Sequence, residues 1–177
     1  MKTANRARIF LVGMTGVGKS TLGKKLASHL HYSFIDLDNE IVKLENATIE
    51  SIFKTKGEAY FRQIEQTTLL QSSKLNQIVI ATGGGTPCYG NNIEWMNANG
   101  KTIYLKATPS FIVSRLPDDY QQRPLLKDIT RGDLLPFIEK LLESREYYYD
   151  KANSIVQMPI KSVSSIVKSV RETDGID

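Results

Sequence analysis

Gly13-Met14-Thr15-Gly16-Val17-Gly18-Lys19-Ser20 completes the pattern G-x-x-x-x-G-K-S. Glycines at this spacing let backbone N–H groups converge on phosphate oxygens, and a helix opening at Lys19 adds free donors and a favourable dipole. Gly13, Thr15, Gly16, Val17 and Gly18 are the loop candidates for nucleotide contact. Lys19 can reach the β- and γ-phosphates, Ser20 can offer its hydroxyl to Mg2+, and Thr21 supports the same end of the nucleotide. The bland alternative is a strand–turn–helix junction with incidental glycines, which the complete motif in its expected setting argues against. The loop does not name the acceptor: water, a nucleotide, a sugar or another small molecule all remain open.

Further polar residues stand where such chemistry needs them. Asp36 and Asp38 follow a short apolar stretch. Asp36 could hold Mg2+, and Asp38 could hydrogen-bond an acceptor hydroxyl and take its proton. Either could instead cap the helix expected from Asn39. Arg62 and Glu65, three apart on one helix face, form either a surface ion pair or a fork aimed at a substrate carboxylate. Gly83-Gly84-Gly85 allows a ligand to approach the backbone closely, or makes a tight turn before Pro87. Arg123 sits in a polar stretch that could close over a nucleotide and bring positive charge to a moving phosphoryl group. Arg115 precedes that stretch and Arg145 follows it. His29 and His31 flank a helix end, and Cys88 is assigned no chemistry.

The elements that must position these residues alternate. Strands are expected at Ile9–Val12, Ser33–Asp36, Ile78–Ala81, Thr102–Leu105 and Ser154–Val156. Helices are expected at Lys19–Leu30, Asn39–Leu44, Ile49–Lys54, Gly57–Ser73, Asn92–Asn97, from Pro109, over Asp133–Lys151 and over Val163–Val170. IVIA at 78–81 is apolar throughout, as in a strand covered on both faces. The pattern predicts a three-layer α/β/α sandwich around a five-stranded parallel sheet, with 117–132 as a polar lid and a frayed end over 172–177.

The chain has 177 residues, 41% hydrophobic and 24% charged, which suits one globular domain spanning 1–177. Its apolar runs are strand-sized, so no membrane span is expected. The basic start MKTANRARIFLVG runs into glycines rather than a long apolar segment, an expectation against a signal peptide. One cysteine excludes an intrachain disulfide framework and fits a reducing cytosol. The net charge of +4 invites nucleic acid as a partner, but no basic tract interleaved with aromatics supports it.

GMTGVGKST, FIDLD at 34–38, FRQIE at 61–65, ATGGG at 81–85, RPLL at 123–126 and SREYYYDKA at 144–152 occur in the order and spacing of one family. Over roughly residues 8–157 the chain resembles the shikimate kinases. The resemblance implies a P-loop kinase with strand order 2-3-1-4-5. It implies transfer of the ATP γ-phosphoryl to the 3-hydroxyl of shikimate, with Mg2+, by a monomeric cytoplasmic enzyme of aromatic amino-acid biosynthesis. By carry-over, Asp38 binds the acceptor hydroxyls and acts as base, and Asp36 helps Ser20 hold Mg2+. Arg62 and Arg145 grip the shikimate carboxylate, with Glu65 in support, and the run Gly83, Gly84, Gly85 lines the other side. The helical segment at about 37–75 is the substrate-binding part. Arg123 is the lid arginine and, with Lys19 and Asp38, part of the catalytic set. Arg115 flanks the adenine. The stretch Val156–Ile160 departs from the family's polar adenine-contacting segment. A gluconate-type kinase, a nucleotide kinase and a non-enzymatic nucleotide switch are the competing readings.

Overall fold

The computed structural model describes residues 7–174. The basic start at 1–6, and residues 175–177 of the tail expected to fray, lie outside the described residues. Five strands form one sheet: β1 (Arg8–Val12), β2 (Ser33–Asp36), β3 (Ile78–Ala81), β4 (Lys101–Lys106) and β5 (Ser154–Gln157). All neighbours are parallel, in the order β2-β3-β1-β4-β5. The inner strands β1 and β3 are buried along their whole length, as continuous apolar runs should be between two helical layers. At one margin β5 alternates half-buried and exposed residues.

Successive residues of β1 show how the layers are made. Phe10 meets Trp95 edge to face, with ring centroids 6.0 Å apart, on the side covered by α4 (Asn92–Asn99). Leu11 points the other way, towards α1 (Lys19–Leu30). There Gly23 lies so close to Phe34 that a Cβ would stand 2.5 Å from its ring. α1 therefore packs tightly on the sheet because the helix has no side chain at that contact. Leu22 and Leu26 complete its buried face, and the helix ends at His31 in a left-handed conformation.

The segment from 37 to 71 forms α2 (Leu37–Glu45) and α3 (Ile49–Gln71). The two helices expected at 49–54 and 57–73 are both present within α3, which is broken between them at Gly57, whose φ of 81° and ψ of 170° are non-helical. Thr48 caps its start by accepting from the Ser51 N–H at 3.1 Å. Ile41, Ile52 and Phe61 make a small apolar core between α2 and α3, separate from the main one. α5 (Pro109–Ser114), α6 (Leu134–Tyr149) and α7 (Val163–Asp174) complete the helices.

Residues 117–132 form neither a strand nor an α-helix. Single 3-10 turns at Tyr120–Gln122, Pro124–Leu126 and Arg131–Asp133 carry the chain, with Tyr120 and Leu126 buried beneath it. Among the described residues, no helix is long and apolar enough to cross a membrane.

Candidate active site

Strand register explains why distant motifs meet. Ala81 of β3 is the partner of both Leu11 of β1 and Asp36 of β2. The glycine loop, the Asp36–Asp38 pair and the triple glycine therefore leave the sheet at the same edge, beyond the strands' carboxyl ends. Parallel α/β sheets bind ligands in that place.

In the loop, Gly18 takes φ 102° and serves as the N-cap of α1. Such left-handed geometry suits glycine and turns the first N–H groups of the helix outward. Val17 is buried beneath the loop and Thr21 is exposed on the first helical turn. Lys19 is buried, and its ammonium donates to the Gly13 carbonyl at 2.7 Å and the Met14 carbonyl at 2.9 Å. Burial lowers its pKa to about 8, although the Asp38 and Asp36 charges oppose that fall. An ammonium so desolvated gains from an incoming phosphate.

Asp36 has two roles. One carboxylate oxygen accepts from the Asp38 N–H at 3.1 Å and caps α2, the structural role that had stood as the alternative. The other oxygen accepts the Ser20 hydroxyl. Ser20 and Asp36 thus present hard oxygen donors next to the phosphate loop. This set fits Mg2+, which is commonly held by one or two carboxylates, waters and substrate phosphates. Among the described residues, no group of three His, Cys, Asp or Glu forms a metal cage.

Asp38 faces a cleft of about 500 Å3 that it shares with Arg62, Arg145, Thr15, Arg123 and the glycine run. Burial, reinforced by the charges of Asp36 and Glu65, pushes its carboxyl up to about 6. Arg62 donates to Glu65 at 2.8 Å and makes a longer contact with Glu58 at 3.2 Å. Glu65 is only 1% exposed, so this is no surface ion pair. Gly85 lies flat beneath the Arg62 guanidinium, where a Cβ would come within 2.6 Å of it.

Arg145, from α6, is also buried, and its guanidinium lies 3.2 Å from the point where a Gly84 side chain would begin. The Thr15 N–H is equally near that point, so Gly84 bridges the phosphate loop and the cleft. Arg123 comes from the polar excursion and donates to the Thr15 hydroxyl. Arg115 stands apart from the cleft. It is exposed, rests on the Phe111 ring at 5.5 Å, and lies beside Gly18 on the other flank of the loop. Burial raises the Cys88 thiol to about 11, which leaves it protonated and inert at neutral pH.

Sequence reasoning passed over several residues. Tyr149 is fully buried, and its hydroxyl donates to the Gly84 carbonyl at 2.6 Å. It lies four residues beyond Arg145, a spacing that could have separated it from its two tyrosine neighbours. Thr86 donates to Glu65 at 2.6 Å. Ile49, Phe53 and Phe61 supply an apolar wall.

Over residues 15–174 the chain matches the family model for shikimate kinase. A shikimate kinase of Bacteroides fragilis is 45% identical over 148 residues, 84% of this chain and 83% of that protein. The crystal structure of a shikimate kinase from Bacteroides thetaiotaomicron aligns with a TM-score of 0.84 at 38% identity, covering 94% of this chain and 97% of that one. A shikimate kinase from Acinetobacter baumannii, solved in complex with shikimate, aligns with the same TM-score at 30% identity, covering 94% and 92%. With a phosphate loop at the mouth of an arginine-lined cleft, and with these relatives across most of its length, the chain belongs to the shikimate kinase family of phosphotransferases.

Proposed function

We propose that this enzyme transfers the γ-phosphoryl group of ATP directly to the 3-hydroxyl of shikimate, in line and without a phosphoenzyme. The observation that carries the reading is one cleft with two kinds of wall. Two guanidiniums, the half-buried Arg62 and the buried Arg145, share it with the Asp38 carboxylate and with Thr15 of the phosphate loop. That suits an acceptor with a carboxylate at one end and hydroxyls at the other. Guanidinium forks recognise carboxylates better than ammonium groups do.

Each residue then has a task. The loop amides and Lys19 hold the phosphates, and Lys19 exchanges its carbonyl partners for phosphate oxygens. Arg62 and Arg145 grip the carboxylate, and the glycine run lets the ring approach the backbone. Asp38, with a pKa near 6, is ionised at neutral pH; it orients the acceptor hydroxyl and takes up its proton. Arg123 brings positive charge to the moving phosphoryl, and residues 117–132 act as the lid that excludes water. Arg115 flanks the adenine. When bound at Ser20 and Asp36, Mg2+ screens the phosphate charge. The reading takes the whole chain as one monomeric, cytoplasmic domain with 37–75 as its substrate-binding part.

The test is ATP-dependent phosphorylation measured side by side with shikimate, gluconate and a nucleoside monophosphate, with and without Mg2+. Mg2+-dependent turnover of shikimate alone is expected. Preference for either other acceptor, or nucleotide binding without turnover, overturns the reading. Size-exclusion chromatography of the same preparation should give one copy per particle.

A further inference from the structure

Glu65 is the most deeply buried carboxylate of the cleft, at 1% exposure. A carboxylate out of water is tolerated only when its oxygens are hydrogen-bonded. Arg62 satisfies Oε2, at 2.8 Å. Oε1 accepts from the Thr86 hydroxyl at 2.6 Å, and Thr86 is itself fully buried. A carboxylate can only accept, so the hydroxyl must donate, which leaves a single hydrogen direction for Thr86.

We infer that Thr86 is a positioning residue for the acceptor site: its hydroxyl fixes the Glu65 carboxylate, which in turn aims Arg62 at the substrate carboxylate. The inference rests on the reading of Arg62 as a carboxylate grip.

The surrounding backbone is shaped for this bond. A Cβ on Gly83 would stand 2.6 Å from Glu65 Oε1, 3.0 Å from Thr86 Oγ1 and 3.1 Å from Asp38 Oδ1. The first glycine of the run therefore makes room for the Thr86–Glu65 pair as much as for a ligand. Thr86 is held from the other side too. Its carbonyl accepts from the Asn92 amide at 2.9 Å, and the Asn92 side-chain oxygen accepts from Gln66 at 3.1 Å. Gln66 follows Glu65 on α3, so the chain of bonds closes on the helix that carries Arg62. Without the hydroxyl, Oε1 would lose its Thr86 donor, and the Glu65 carboxylate would be free to rotate about its bond to Arg62, taking the guanidinium with it.

The experiment measures kcat and both KM values for wild type, Thr86→Val and Thr86→Ser with ATP and shikimate. Loss of a hydrogen bond to a charged group should raise the shikimate KM of Thr86→Val by roughly five- to twentyfold. The ATP KM should stay within about twofold, and Thr86→Ser should match wild type. If Thr86→Val does not fold, Thr86→Ala in the same assay decides. A purely structural role would change both KM values alike, whatever the shift in melting temperature, and would overturn the inference. So would an unchanged shikimate KM in Thr86→Val while Arg62→Lys raises it, which leaves the functional reading standing. Absence of shikimate turnover in the wild type overturns both.

Discussion

Two guanidiniums separate this cleft from a bare nucleotide site. Arg62 is held against Gly85 by Glu65, whereas Arg145 is buried by its place on α6. Replacing the Arg62 fork with a single ammonium removes paired hydrogen bonds while keeping the charge. Arg62→Lys should raise the shikimate KM about tenfold or more and leave the ATP KM nearly unchanged. Steady-state kinetics with each substrate varied in turn checks this, and equal losses for both substrates would count against the clamp. The pairing of Arg62 with Glu65 was legible in the sequence, because three-residue spacing puts both on one helical face. Their burial was not, because it depends on the glycine run that β3 delivers from a different part of the chain.

At the scale of elements, the bend in α3 decides where Arg62 and Glu65 point. Gly57 lies in a conformation that is open essentially to glycine alone, at φ 81° and ψ 170°. A Cβ there would meet nothing within 4 Å, so any penalty for substitution comes from the backbone and not from a clash. Gly57→Ala should destabilise the protein by about 1–3 kcal/mol, read as a lower melting temperature. A melting temperature equal to wild type would show that α3 can straighten without loss. The sequence marked this position as a boundary between two helices. The structure agrees, with non-helical dihedrals at Gly57, and it holds the two halves together at the kink by packing Ile52 and Phe61 in one small core with Ile41.

For the molecule as a whole, the site opposes stability. Asp38 has a folded pKa of about 6 against an ordinary value of 3.8. The folded chain therefore binds more protons than the unfolded chain between those values, and stability falls as pH rises through that window. At neutral pH the free enzyme carries the full penalty, about 1–3 kcal/mol for a shift of this size at a partly accessible group. Asp38→Asn, measured without nucleotide or Mg2+, should melt a few degrees higher than wild type at pH 7.5. The advantage should shrink towards pH 4, where the wild-type carboxyl is protonated in both states. Thermal melts across that range test it, and an equal melting temperature at pH 7.5 would contradict the strained carboxylate.

The sequence alone determined the alternating elements, the phosphate loop and the glycine runs. Each of these is local chemistry: hydrophobic period, glycine dihedrals and helix-start donors are written in contiguous residues. The tertiary structure decided which charges count. Arg145 is buried at Gly84, while Arg131 pairs with Asp118 at the surface, and nothing in their immediate neighbours separates the two. It also decided that Asp36 both caps α2 and meets Ser20, and that Thr86 reaches Glu65 across 21 positions of chain. Those pairings follow from the register of parallel strands and from close approach at glycines, which act between segments far apart in sequence.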